Sequence, residues 1–431
     1  MKRVIRPPNS RRNFWLVLFI FLSSISTSHA QSSKSIKGSS CQKLPLDTIE
    51  PIKSLSVQQH RLVNGLRVLL HSRQNSDTIT LRTTINVGGK DETPGQSGYA
   101  HLFEHMMFKG SKTVPDGAFT SSVQAVGGVT NATTDYDRTQ YWQSMPASFL
   151  RRAIFLEADR MQNLLITEEK LKNQIEAVLE EKKLRLDNVP YAGVVSRFMV
   201  EQWRGTPYGH LLIGTDAEIK AATVASVSRF LDHYYVGNNA TISIVGDVDP
   251  AKTLRLIKSY FEKWPSGRRN ALKRFPPVKQ KKIEASIHDP LAPFPGYGIA
   301  WHTVGKTHPD YLAVEILTDA LLRHSASRLR YLLKEDKELV FELLGLPLTF
   351  EQVGLANLVA IPRTYASFNV IQQTVKEVIV DLKQNGLSAD ELCGVIKARQ
   401  LELWLVSGRQ ATFWLAGVPD VGVAKYPILA I

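Results

Sequence analysis

The segment His101-Leu102-Phe103-Glu104-His105 places two imidazoles four residues apart, with a carboxylate between them. On a helix of about 3.6 residues per turn, positions i, i+3 and i+4 share one face. Such a face can hold a metal ion and set a general base beside it. The stretch from Ser97 to Phe108 reads as that helix, and Gly110 as its stop. Catalytic zinc needs a third protein ligand. A second helical pattern, 168–187, opens after a candidate N-cap at Thr167 and carries Glu180 and Glu181 amid Lys and Arg. By residue type alone that pair reads first as a solvated helix face, and periodicity does not select a third ligand.

The chain is 431 residues long, 43% hydrophobic and 22% charged, so it has ample material for two or three domain cores. The net charge of +13 is partly terminal: Lys2, Arg3, Arg6, Arg11 and Arg12 precede an apolar run, Phe14 to Leu22, and then Ser28-His29-Ala30. That order reads as an export signal over 1–30, with Arg11-Arg12 resembling a twin-arginine type. The run is short for a full membrane span. The expected location is periplasmic or secreted, or membrane-anchored if the signal stays uncut. No stable span is expected after cleavage. A basic cluster from Lys252 to Lys282 reads as a solvated face and linker. It lacks aromatic interleaving, so no nucleic-acid partner is expected. Two cysteines, Cys41 and Cys393, exclude a thiolate zinc cage.

Residues 31–55 are Ser/Lys-rich and read as a linker. Arg61 to Leu70 reads as a hairpin turning at Asn64-Gly65. Strands are expected over Thr78–Val87, Thr139–Met145 and the buried run Ala240–Val245, and helices over 147–163 and 168–187. A first domain is expected over 56–265, then a Pro/Lys/Arg-rich linker over 266–295 and a second α+β unit over 296–431. In that unit, helices are expected near 309–323, 366–384 and 388–405. Strands and helices mix without βαβ alternation, so the fold class is α+β.

Beyond the five-residue motif, several segments resemble the insulinase/pitrilysin metallopeptidases, or inverzincins, in their short processing-peptidase-like bacterial branch. They are Leu62-Val-Asn-Gly-Leu66, Gly98 to Gly110, Gly127 to Thr133 with Thr139-Gln-Tyr141, Leu156 to Met161, Glu180 to Asn188, Tyr234-Tyr235, Asn238-Asn239-Ala240 and Val245 to Val248. The resemblance spans about residues 59 to 415. It implies two related domains, mixed or antiparallel sheets flanked by helices, forming half of a clamshell. It assigns one zinc ion per chain to His101, His105 and Glu181, and proton transfer to Glu104. It also implies that Gly128, Asn131, Ala132 and Thr133 lie along a strand that pairs with an extended peptide.

Three positions depart from the pattern. Gln174 stands where relatives carry a supporting glutamate, seven positions before the third ligand. Lys334 and Phe341 stand where relatives carry an Arg and a Tyr that face the reacting carbonyl, and Phe cannot donate a hydrogen bond. The chain also stops soon after Gly417, so its second domain is expected to be incomplete. The implied function is a zinc endopeptidase acting on peptides or unfolded segments. A dimer is expected, preferably with a zinc-less homologous subunit. The alternative is a non-catalytic structural subunit that keeps the fold.

Overall fold

The computed structural model describes residues 56–267, 275, 289–323, 327–345, 347–364 and 367–399. The expected signal and first linker, most of the 266–295 linker and the chain after 399 lie outside the described residues.

A six-stranded mixed sheet organises the first part of the chain. Its strands are β1 (Gln58–Arg61), β2 (Arg67–Ser72), β3 (Thr78–Ile85), β4 (Val129–Thr134), β5 (Thr139–Pro146) and β6 (Ala240–Gly246). Their order is β1-β2-β6-β3-β5-β4. The β1–β2 hairpin forms where expected, with Gly65 at φ 86° in its turn. Positive φ carries no steric penalty for glycine. β6 inserts between β2, which it parallels, and β3, which it opposes. All seven of its residues are buried, in keeping with its almost continuous apolar run. β5 alternates buried and half-buried residues, as a strand does when the two faces of its sheet differ.

The helices of this part that bear on the site and its packing include α1 (Tyr99–Met106), α2 (Leu150–Asn163), α3 (Glu168–Lys182), α4 (Val224–Tyr234) and α5 (Pro250–Phe261). α1 buries Tyr99, Ala100, Leu102, Phe103 and Met106. Phe103 packs its ring 5.6 Å from Phe230 and 4.4 Å from Tyr235. α3 begins as its sequence indicates, the Thr167 side chain accepting the Lys170 N–H. It does not run to Asp187 as an α-helix. Lys183–Asp187 is a π-helical turn in which the Asn188 N–H reaches the Lys183 carbonyl. The helix over 147–163 likewise opens with a 3-10 turn, Ala147–Phe149, before α2.

A second, antiparallel sheet is built from β7 (Tyr297–Val304), β8 (Val340–Gly345), β9 (Leu348–Thr349) and β10 (Val353–Pro362). β10 is central, between β7 and β8. With α6 (Tyr311–Thr318) and α7 (Ser367–Asn385), it encloses a core of its own around Leu333, Leu343, Leu358 and Ile371. A third cluster joins Tyr136, Trp203 and Tyr208 to Val353 and Leu355. There the Tyr208 ring stacks on Phe350 at 5.6 Å, and the Glu351 N–H donates to Asp137 Oδ2 at 2.7 Å. The molecule is thus α+β, with helices on its sheets. Among the described residues no helix is long and apolar enough to cross a membrane.

Candidate metal centre

The buried face of α1 turns its other face, bearing His101, Glu104 and His105, toward α3 and β4. His101, His105 and Glu181 form a cluster whose ligand atoms all lie within 4.8 Å of one another. Oε2 of Glu181 is 3.1 Å from Nε2 of His105 and 3.6 Å from Nε2 of His101. Zinc–ligand bonds of about 2.0–2.2 Å in a tetrahedron require ligand atoms about 3.3–3.6 Å apart. The donor set suits a zinc ion, and the two carboxylate–imidazole spacings lie close to that range. Glu180, the other member of the acidic pair, instead meets Lys183 at 3.5 Å on an exposed face. Tertiary packing thus separates the two glutamates that periodicity left equivalent.

The electrostatics suit metal binding. Burial, then the neighbouring His105, pushes the His101 pKa down to about 4. The imidazole is therefore neutral near pH 7, as a ligand must be. Burial opposes ionisation of Glu181, but the His105 hydrogen bond, the attraction of His101 when that imidazole is protonated, and the Arg185 charge outweigh it and hold the pKa below the ordinary carboxylate value. Arg185 Nη1 lies 2.9 Å from Oε1 of Glu181. Glu104 sits outside the three-ligand cluster. Burial raises its pKa, against the opposing hydrogen bond from Thr134 and the charge of His105. Thr134 Oγ1, at the end of β4, donates to Glu104 Oε2.

β4 closes one edge of the first sheet, pairing with β5. Asn131 and Thr133 are exposed on it, Ala132 is buried, and the Asn131 side chain folds back to accept the Ala132 N–H at 2.9 Å. Gly128 precedes the strand where a Cβ would meet the Ser144 carbonyl at 2.7 Å and the Val123 carbonyl at 2.8 Å, so only glycine fits. Gln174 is buried two turns before Glu181, and its Nε2 donates to Asn173 Oδ1 at 2.6 Å. In the second sheet, Lys334 Nζ binds Glu342 Oε2 at 2.8 Å. Phe341 is exposed, its ring 5.3 Å from Phe294 and capped by Arg363. Neither Thr134 nor Arg185 is marked by any sequence pattern. A hydroxyl or a distant carboxylate that acts only through folding leaves no periodic trace.

Family comparisons agree with this architecture. Residues 67–216 match the insulinase (peptidase family M16) model, and 221–398 match the peptidase M16 inactive-domain model. The zinc protease PqqE of Helicobacter pylori is 27% identical over 336 residues, which make up 77% of this chain and 76% of that protein. The probable mitochondrial-processing peptidase subunit beta of Arabidopsis thaliana is 24% identical over 262 residues, 60% of this chain and 49% of that longer protein. The crystal structure of a protease from Helicobacter pylori superposes with a TM-score of 0.74 at 24% identity, covering 82% of this chain and 88% of that one. This chain belongs to the insulinase family of peptidases, peptidase family M16.

Proposed function

We propose that this chain is a zinc-dependent endopeptidase that hydrolyses peptide bonds in peptides or unfolded segments. The observation that carries the reading is the convergence, within 4.8 Å, of Glu181 from α3 with His101 and His105 on the face of α1 that also bears Glu104. Relatives named zinc proteases support the same chemistry. His101, His105 and Glu181 would hold one zinc ion. When bound, zinc supplies Lewis acidity, polarising the peptide carbonyl and acidifying water.

Glu104 is the proton carrier. Its carboxylate takes a proton from the attacking water and delivers it to the leaving amine. The Thr134 hydroxyl holds Oε2 in place during both transfers. The open edge of β4, from Gly128 through Asn131, Ala132 and Thr133, would bind the substrate as an added strand. Backbone pairing of that kind selects extended chains over folded ones, which explains the substrate class.

The assignment of 56–265 as the zinc-binding domain and 296–431 as its inactive-type companion belongs to this proposal, and the placement of the two sheets supports it. So does pairing with a second, zinc-less homologous subunit. Lys334 is occupied by Glu342, and Phe341 has no donor, so neither is suited to face a developing oxyanion. A partner subunit would supply that function, and a relative named as a subunit is in keeping with it. The N-terminal basic and apolar pattern supports export to the periplasm or beyond.

The test is cleavage of an unstructured peptide by wild type and Glu104→Gln, with zinc content measured on both. The variant should retain zinc and lose turnover. Equal turnover in the two proteins would remove Glu104 from the mechanism.

A further inference from the structure

The helix that carries both histidines begins without a side-chain cap of its own, because its N-cap is Gly98 in the left-handed region at φ 87°. The first N–H groups of a helix have no intrahelical acceptor and must find one elsewhere. They find Glu92, whose side chain is 1% exposed. Its Oε2 accepts the Gly98 N–H at 2.9 Å, and its Oε1 accepts the Ala100 N–H at 2.8 Å. Ala100 immediately precedes His101. A third partner, Nε2 of His210, lies 2.9 Å from Oε2. Both carboxylate oxygens already accept from the backbone, so the imidazole presents its N–H to the carboxylate.

His210 is not local to this turn, since it stands 118 positions after Glu92. Its loop presses on the start of α1. A Cβ on Gly98 would lie 2.6 Å from the Ile213 carbonyl, and one on Gly214 would lie 2.3 Å from the Ser97 carbonyl. The carbonyl of His210 accepts the Tyr136 hydroxyl at 2.6 Å. The Tyr136 ring meets Phe350 at 4.9 Å, between β9 and β10 of the second sheet. The next residue, Asp137, accepts the Glu351 N–H. A continuous set of contacts thus runs from the second sheet through Tyr136, His210 and Glu92 to the first turn of α1.

We propose that Glu92 and His210 are positioning residues for the metal centre, setting the depth and rotation of the first turn of α1 and transmitting to it the docking of the second sheet. This rests on the zinc-peptidase reading above. An ordinary buried cap would contribute stability alone, whereas a positioning pair also moves metal affinity and turnover. Partners that orient metal ligands typically change affinity or activity by about 10–100-fold when removed.

The experiment uses the full chain as wild type, His210→Ala, His210→Gln, Tyr136→Phe and Glu92→Gln. Three quantities are read on each: the zinc Kd by competition with a chromogenic chelator, kcat and KM on an unstructured peptide, and Tm. His210→Ala should raise the zinc Kd about tenfold and lower kcat, with KM changing by less than about twofold. His210→Gln should recover most of both, because its amide can donate to Oε2. Tyr136→Phe should shift them in the same direction as His210→Ala, by less. If Glu92→Gln does not fold, the His210 pair decides. A lowered Tm in His210→Ala with zinc Kd and kcat within about twofold of wild type would overturn the proposal. So would the absence of any recovery in His210→Gln. Failure of the wild type to cleave peptide would strike the peptidase reading instead, while zinc Kd alone would still decide the positioning role.

Discussion

Arg185 Nη1 lies 2.9 Å from Oε1 of Glu181, while Oε2 of the same carboxylate faces both histidines. The two oxygens are thereby given different tasks. One is held by a guanidinium and the other is left for the proposed zinc ion. The π-helical turn over Lys183–Asp187 contains Arg185, and in the same turn Asp187 bridges Lys182 at 2.8 Å.

This arrangement predicts a small, salt-dependent effect. Arg185 is 67% exposed, and ion pairs of that kind are worth only about 0.2–1 kcal/mol. Arg185→Gln should therefore weaken zinc binding by no more than about fivefold at low ionic strength. The difference should shrink as salt is added. Chelator competition at two salt concentrations measures it. A loss of a hundredfold or more, independent of salt, would mean that Arg185 does something other than hold Oε1.

Thr134 makes a larger contribution per bond, because its acceptor is a carboxylate that burial disfavours. Hydrogen bonds to charged groups contribute about 1.5–3 kcal/mol. Thr134→Val should lower kcat by about tenfold or more with zinc content unchanged, and Thr134→Ser should stay near wild type. Steady-state kinetics on one peptide, with metal analysis of each protein, separates this from loss of the ion.

Much of this architecture follows from local pattern, and the reasons differ by element. The β1–β2 turn at Asn64-Gly65 and the buried strand β6 are written in residue types that admit few conformations. The α1 face is legible because its apolar positions and its histidines fall on opposite sides. The insertion of β6 between β2 and β3 is not legible, because it pairs Arg67 with Thr241 across most of a domain. Nor is the end of α3 at Lys182, because a five-residue π-helical turn is too short to show a hydrophobic period of its own. The choice of Glu181 over Glu180 rests on which side of α3 meets α1, and that is a packing fact. Glu92 and His210 were invisible for the same reason.

Acid stability offers a check away from the metal. The Arg328 guanidinium, bonded to Glu391 at 2.6 Å, holds that carboxyl down to about 2, against its ordinary 4.5, with burial opposing. A carboxyl depressed in the folded state adds stability above its unfolded pKa and loses that contribution as pH falls through the folded value. Arg328→Gln should therefore lower Tm at pH 6. Its gap from wild type should narrow between about pH 4.5 and about pH 2. Thermal melts across that range measure it. A gap that stays constant would assign the effect to packing or to the bond from Arg328 to the Gly386 carbonyl, which does not titrate.

The most direct measurement for the account as a whole is the zinc-to-protein ratio of purified wild type, Glu104→Gln and Glu181→Gln, read beside turnover on the same samples. The account predicts about one zinc per chain in wild type and Glu104→Gln, with turnover in wild type alone, and loss of both zinc and turnover in Glu181→Gln. Stoichiometric zinc retained by Glu181→Gln at wild-type affinity would contradict it.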